Sequence, residues 1–204
     1  MENMPAGAAT VYVDPTCPFA WITSQWLSEV AARTGLVVQR ELMSLSALNE
    51  GRELDEWYRD YNERAWRPAR AAAGLLASPH AHRWPDFYEV FGRRRHIGGL
   101  RDDTRNIVLT LGDLGLPAGL AGAADDESWD SDLRRRTATA MAPLGGDGGT
   151  PALHIAGRGF FGPVLTAVPR GDEAVRLWEA VSALATVGAF SEIKGLRHEQ
   201  LQTS

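Results

Sequence analysis

The chemistry this chain can perform centres on one thiol. Cys17 is its only cysteine and stands in the segment Asp14-Pro15-Thr16-Cys17-Pro18-Phe19-Ala20-Trp21. A helical pattern begins at Pro18, and proline is favoured in the first position of a helix. The first N–H groups of that helix would point at the sulfur, and the helix dipole favours thiolate over thiol. We therefore predict a nucleophilic cysteine whose pKa lies below that of a free thiol. The alternative is a buried cysteine that acts as a small hydrophobic side chain.

A single cysteine also limits the possible reactions. It excludes an intramolecular disulfide and a multi-cysteine zinc site. Cys17 cannot resolve its own mixed disulfide, because the chain offers no second thiol. Two kinds of single-thiolate chemistry remain: reversible addition to an electron-poor alkene, and reaction together with an external thiol. His80 and His82 have His-x-His spacing without a nearby carboxylate or cysteine, so no metal site is predicted.

Three polar residues are candidates for acid–base roles beside the thiol. Asp14 lies three residues before Cys17, where it could relay a proton or orient a neighbour, although an aspartate before proline commonly starts a turn. His96 follows a run of three arginines in a helical region, and His154 lies on a later strand. A structural histidine is the alternative for both. We predict Asp14, His96 and His154 as catalytic residues that support Cys17.

Aromatic and apolar residues are candidates for the substrate site. Pro18, Phe19 and Trp21 directly follow the thiol. Trp57, Tyr61 and Trp66 belong to a middle stretch rich in aromatic residues, and they could form the wall of a hydrophobic pocket above Cys17. A role in the hydrophobic core is the alternative for most of these rings.

The elements that must position these residues fall into three groups. The first is a strand at Ala9–Val13, a helix from Pro18 to about Arg33 and a second strand at Leu36–Leu45, a β-α-β order that suits a parallel pair. The middle group, from Gly51 to Pro143, has about four helices and no strand. After a glycine loop, Gly145–Gly149, the last group has strands at Thr150–Ile155 and Arg158–Phe161, a helix at Asp172–Thr186 and a tail, Ser191–Ser204, that forms a further helix or frays.

The strands and outer helices suit one sheet with helices on its faces, so the fold class is α/β. The middle group would be an inserted all-helical subdomain. We therefore predict one domain from residues 1–50 and 144–204, and a helical subdomain from residues 51–143.

Composition excludes several classes of protein. The chain has 204 residues, of which 44% are hydrophobic and 23% charged, which is typical of a globular protein. No apolar run approaches the roughly 18–20 residues of a membrane span, and the first nine residues do not resemble a signal peptide, so a cytoplasmic location is expected. With a net charge of −5, no nucleic-acid or membrane partner is expected.

Three segments carry a resemblance to a known family: DPTCPFAWITSQW (Asp14–Trp26), MSLSALNE (Met43–Glu50) and GTPALHIAGRGFFGPVLTAVPRGDEA (Gly149–Ala174). Together they resemble the DsbA-like branch of the thioredoxin superfamily, and above all the actinobacterial mycothiol-dependent nitroreductases. The resemblance implies a thioredoxin-like sheet with a helical insertion. It also implies a cis peptide bond at Thr150-Pro151 against the catalytic cysteine, and it places Phe161 near the active site.

The chain departs from the family's reductases at one position. They carry Cys-x-x-Cys, and here the second cysteine is replaced by Ala20. The kappa-class glutathione transferases and the 2-hydroxychromene-2-carboxylate isomerases resemble this DsbA-like scaffold. Both perform thiol-assisted chemistry on small molecules. Thiolate addition turns a conjugated double bond into a rotatable single bond, and elimination returns the other isomer.

We therefore predict a cis–trans isomerase that works by reversible Cys17 addition to a small electrophilic or conjugated substrate and requires no cofactor. The first alternative is a mycothiol-dependent monothiol oxidoreductase or transferase, with mycothiol as its external thiol. The second is a non-catalytic binding or redox-sensing protein. Whether the substrate is bound to a carrier protein, and whether the chain forms a homodimer, are open at this point.

Overall fold

The computed structural model describes residues 7–145, 148–196 and 200–204. In chain order the strands and α-helices are β1 (Ala8–Val13), α1 (Pro18–Thr34), β2 (Val37–Leu42), α2 (Leu45–Leu48), α3 (Glu56–Leu76), α4 (Trp84–Gly92), α5 (Asp103–Asp113), α6 (Asp130–Met141), β3 (Ala152–Ile155), β4 (Arg158–Phe161) and α7 (Gly171–Ala185). A π-helical turn, Arg93–Ile97, follows α4.

The chain divides into two compact units. One contains the described residues up to Val13, the stretch Pro18–Glu41 and the described residues from Ala140 onward, and we call it the sheet unit. The other contains Asp14–Cys17 and Leu42–Thr139, and we call it the helical unit. The segment Asp14–Cys17, which contains the thiol, therefore belongs to the helical unit.

The sheet unit is built on four strands in the order β2-β1-β3-β4. β1 pairs antiparallel with β3, with Val11 opposite Leu153, and β3 pairs antiparallel with β4 as a hairpin. Alternate residues of β1 are buried, which is the pattern of a strand with one face on a core. The indole of Trp26 on α1 donates a hydrogen bond of 2.9 Å to the carbonyl of Ala174, and so joins α1 to α7.

The helical unit packs aromatic side chains at helical spacing. Phe87 and Phe91 stack on one face of α4 with their ring centroids 5.9 Å apart, and both are fully buried. Gly74 of α3 lies against Ala123, where a Cβ on residue 74 would collide with the alanine side chain. This close approach lets α3 pack on the 3-10 helical segment Ala118–Asp125.

Several expectations about the elements are confirmed. The first strand, the helix from Pro18, the β3–β4 hairpin and the helix beginning near residue 171 all form. Four α-helices, α3 to α6, lie between residues 51 and 143, all of which are described, and no strand occurs there.

Two expected strands differ in extent from the observed ones. The second strand ends at Leu42, because Ser44 caps a short helix: its hydroxyl accepts a hydrogen bond from the N–H of Ala47. The third strand begins at Ala152, after the cis peptide bond at Thr150-Pro151. Of the two alternatives for the tail, the helix does not form over 191–196 or 200–204, and residues 197–199 lie outside the described residues.

Part of the glycine loop, residues 146 and 147, also lies outside the described residues. No described helix combines the length and the apolar character that crossing a membrane requires.

Candidate active site

Cys17 ends a tight turn at the start of α1. Its N–H donates a hydrogen bond of 3.1 Å to the carbonyl of Asp14, and the next residue, Pro18, is the first of the helix. The cysteine side chain is buried, with 4% of the residue exposed. The structure thus places the thiol at a helix N-terminus, as the sequence predicts.

The carboxyl group of Asp14 holds this turn together. One oxygen accepts hydrogen bonds of 2.7 Å from the N–H and from the hydroxyl of Thr16, and the other accepts one of 2.7 Å from the N–H of Leu45. Burial raises the pKa of Asp14, and the opposing effects of these hydrogen bonds and of the Arg95 charge are smaller. Asp14 therefore builds the Cys17 turn, and its role in proton transfer stays a prediction.

Tyr61 connects helix α3 to the same turn. Its hydroxyl donates a hydrogen bond of 2.9 Å to the Thr16 hydroxyl, which in turn donates to Asp14. Burial, followed by the negative charges of Asp14 and Cys17, raises the pKa of Tyr61 well above its ordinary value. Tyr61 is therefore a neutral phenol within the electrostatic reach of the thiol.

His96 supports the turn from the π-helical segment. Its Nε2 lies 3.2 Å from the carbonyl oxygen of Pro15. Because a carbonyl only accepts, Nε2 carries the proton and donates it. Burial lowers the pKa of His96 to about 3, so the ring is neutral near pH 7. This contact makes His96 a support for the cysteine turn, and its predicted catalytic role stays untested.

A buried ion pair lies next to His96 in the sequence. The guanidinium of Arg95 pairs with the carboxylate of Asp103, and both side chains are about nine-tenths buried. The Arg95 charge lowers the pKa values of Asp14 and Tyr61, in opposition to the larger effect of burial. Arg95 therefore contributes positive potential near the Cys17 turn.

The predicted aromatic wall divides into two parts. Trp57, Tyr58 and Tyr61 form a row on α3, with centroid distances of 5.2 Å and 5.9 Å between neighbouring rings. Trp57 is 69% exposed, so the row leads from solvent to the hydroxyl beside Thr16. Trp66 lies apart from this row, with the guanidinium groups of Arg70 and Arg134 5.2 Å and 5.8 Å from its ring centroid.

In the sheet unit, the expected cis peptide bond at Thr150-Pro151 is confirmed. The Thr150 hydroxyl donates a hydrogen bond of 3.2 Å to the carbonyl of Tyr12, and the Pro151 carbonyl accepts one of 2.8 Å from the N–H of Gly162. These bonds fix the loop to β1 and to the end of β4. The predicted contact between Pro151 and the thiol stays a prediction.

Phe161, at the end of β4, is 45% exposed. Its ring lies over Gly149, where an added Cβ would come within 3.3 Å of a ring carbon. Phe161 therefore covers the backbone that leads into the cis-proline loop.

Two other predicted site residues of the sheet unit have structural partners. The Nε2 of His154 lies 2.9 Å from the carbonyl of Ala140 at the end of α6, and the imidazole packs on Tyr12 with centroids 4.5 Å apart. Trp21 is fully buried, and its indole N–H donates a hydrogen bond of 2.9 Å to the carbonyl of Thr203 in the C-terminal tail. Pro18 and Phe19 are half-buried in the first turn of α1.

The sequence analysis missed two residues of the cysteine turn. Thr16 follows Asp14-Pro15, and an aspartate whose side chain bonds the backbone two residues on is a recognisable turn motif. Leu45 contributes only its backbone N–H, so no side-chain pattern could have identified it. Among the residues that the structure describes, no group of three or more His, Cys, Asp or Glu is arranged to hold a metal.

The sequence is similar to known proteins. The family model Rv2466c-like, described as mycothiol-dependent nitroreductase Rv2466c, matches residues 16–195. A protein of Mycobacterium tuberculosis named "Uncharacterized protein Rv2286c" is 33% identical over 187 residues, which are 90% of this chain and 79% of that protein.

Solved structures share the fold at low identity. A 2-hydroxychromene-2-carboxylate isomerase has a TM-score of 0.59 and 15% identity, with 87% of this chain and 94% of that chain covered. The cytosolic disulfide reductase DsbM from Pseudomonas aeruginosa has a TM-score of 0.54 and 20% identity, with 86% and 99% covered. A probable DsbA oxidoreductase from Streptomyces coelicolor has a TM-score of 0.51 and 16% identity, with 93% and 94% covered. The predicted DsbA-like thioredoxin fold with a helical insertion is confirmed.

Proposed function

The chain belongs to the Rv2466c-like family of mycothiol-dependent nitroreductases, and from this membership we propose that it is an enzyme whose single thiolate, Cys17, reacts with small electrophilic molecules. The observation that carries the proposal is the placement of that thiol. It ends a turn at the start of α1, and Asp14, Tyr61 and His96 hold this turn through side-chain hydrogen bonds. A thiol that served only as packing would not need such a polar framework.

The reaction that one thiolate completes by itself is cis–trans isomerisation. The Cys17 sulfur adds to the β-carbon of a conjugated carbonyl compound, and the π electrons move to the carbonyl oxygen as an enolate. The former double bond is now single and rotates. The enolate electron pair then re-forms the carbon–carbon double bond, and the carbon–sulfur bond breaks. The thiolate is released together with the other isomer. No electron or proton is consumed, so the missing second cysteine at Ala20 is no obstacle.

Family membership favours a second candidate, a mycothiol-dependent monothiol reductase. In this reaction Cys17 and one mycothiol each lose a proton and together lose two electrons, which reduce the substrate, and a mixed disulfide forms. A second mycothiol attacks that disulfide, releases oxidised mycothiol and restores the Cys17 thiol. The external thiol thus performs the resolving step that a second cysteine performs in a dithiol enzyme.

Within this proposal, several residues would contact the substrate. The row of Trp57 and Tyr61 offers aromatic surface that ends beside the cysteine turn. We propose that Phe19, Thr150 and Pro151 also contact the substrate. Trp21 can contribute only ring surface, since its N–H already bonds the tail.

Isomerisation of a cis 4-oxo-2-enoic acid, followed by proton NMR without any added thiol, tests the leading candidate. Turnover that is lost in Cys17→Ser supports the isomerase. Conversion to the saturated, reduced acid that requires mycothiol, together with a mycothiol adduct on Cys17 in the mass spectrum, supports the reductase. Undiminished turnover of Cys17→Ser would contradict both.

A further inference from the structure

One concavity of the sheet unit is lined by residues that are distant from the cysteine turn in the sequence. It is about 740 Å³ in volume and is lined by the edge strand β4, by α7 and by the segment that follows α7. Cavities that bind small molecules typically measure roughly 300–1,000 Å³. Its size therefore suits an organic ligand, and no part of the proposed reaction uses it.

The walls of this cavity are mainly apolar. Leu153, Phe160, Val181 and Leu184 line it, and Phe161 borders it with 45% of its surface exposed. Ligand cavities are lined mainly by apolar side chains with a few polar groups among them. The cavity thus offers a place for a chain or ring that water solvates poorly.

One wall is held in place by specific contacts. Phe160 packs on Phe190 with ring centroids 6.0 Å apart, and the Arg158 guanidinium lies 4.9 Å from the Phe160 centroid. Arg158 also donates a hydrogen bond of 2.7 Å to the carbonyl of Val187, beyond the end of α7. The wall at Phe160 is therefore held by defined side-chain contacts.

The charges of the lining are predominantly positive. Arg158 and Lys194 line the cavity together with a single acid, Glu192. Arg158 donates to neutral carbonyl oxygens, and neither cation forms an ion pair with any acidic residue in the described ranges. The chain as a whole has a net charge of −5, so this local excess of positive charge is distinctive. It would attract one acidic group of a ligand.

We infer that this cavity binds an amphiphile with one carboxylate and an apolar chain, the chemistry of a free fatty acid. The chain would lie along Phe160, Val181 and Leu184, and the carboxylate would face Lys194 and Arg158. No residue of the cysteine turn lines the cavity, although Phe161, which the family resemblance places near the active site, does.

Calorimetric titration with dodecanoate, below its micelle concentration, tests the inference on the full chain. The wild type binds dodecanoate more tightly than dodecanol, which has the same chain and no charge. Val181→Trp fills the cavity and weakens binding at least tenfold. Val108→Trp, the same change at a 53% exposed position on α5, leaves binding unchanged. Lys194→Glu weakens dodecanoate binding about fivefold, the effect expected of an exposed charge pair.

Three results would overturn the inference: no binding to the wild type, equal binding of dodecanol, or unchanged binding to Val181→Trp. If Val181→Trp shows no cooperative unfolding transition, Leu184→Trp, at a position that is 36% exposed, replaces it and is judged by the same criteria.

Discussion

His96 makes the stability of this protein sensitive to acid, and the size of the effect can be worked out from its environment. Burial lowers the pKa of the imidazole from 6.5 to about 3 in the folded protein. As the pH falls below 6.5, the unfolded chain binds a proton at residue 96 and the folded chain does not. Unfolding is therefore favoured, and the stability contributed by His96 is lost as the pH falls from 6.5 toward 3.

The expected loss is large compared with the stability of an ordinary domain. Each pH unit well between the two pKa values is worth about 1.36 kcal/mol, and from pH 7.0 to 4.5 the loss amounts to about 2.5 kcal/mol. This loss depends mainly on the pKa of His96 in the unfolded chain, because pH 4.5 still lies above its pKa in the folded protein. A total stability of about 5–15 kcal/mol makes such a change easy to measure.

Urea unfolding of His96→Gln tests this linkage. Glutamine keeps an N–H donor for the Pro15 carbonyl and cannot gain a proton. The wild type should therefore lose about 2.5 kcal/mol more than His96→Gln between pH 7.0 and 4.5. His82→Gln, which replaces an exposed histidine, is the control. Its loss of unfolding free energy between pH 7.0 and 4.5 should equal that of the wild type. Equal losses in the wild type and His96→Gln would refute the reasoning.

Three further changes have defined outcomes. Asp14→Asn should lower the free energy of unfolding by about 1–3 kcal/mol at pH 7, because a buried backbone donor then faces the amide N–H₂ group, and a loss within experimental error would contradict this. Removal of residues 201–204 takes away the acceptor of the Trp21 indole and should cost about 1–3 kcal/mol in urea unfolding; the same truncation in Trp21→Phe should cost clearly less. Ala20→Cys should form an internal disulfide with Cys17 under oxidation, seen as loss of both titratable thiols, and two persistent thiols would show that the first helical turn does not bring the sulfurs together.

The sequence predicted elements wherever a local pattern was strong. The helix from Pro18 and the hairpin after Ala152 follow from periodicity and turn residues alone. The second strand was predicted too long, because the apolar run through Leu45 continues beyond the point where Ser44 starts a helix. Hydrophobic periodicity does not reveal this helix start, because the cap is a single hydrogen bond to the Ser44 hydroxyl.

The thiol itself could be found from the sequence, and its supports could not. Asp14 and His96 were singled out as candidate catalysts because of their residue types. Asp14 bonds nearby Thr16, but its other partner is the Leu45 N–H, 31 residues away, and the partner of His96 is the Pro15 carbonyl, 81 residues away. Backbone groups carry no signature in a sequence, so only the tertiary structure shows which ones a buried side chain will bond.

The grouping of Asp14–Cys17 with the helical unit has a consequence for how this fold can diversify. The nucleophile is encoded within the sheet-forming part of the sequence, yet the side chains that brace it, Tyr61 and His96, are supplied by the insertion. Substitutions at Tyr61 and His96 would therefore change the surroundings of the thiol at positions that belong to none of the four strands.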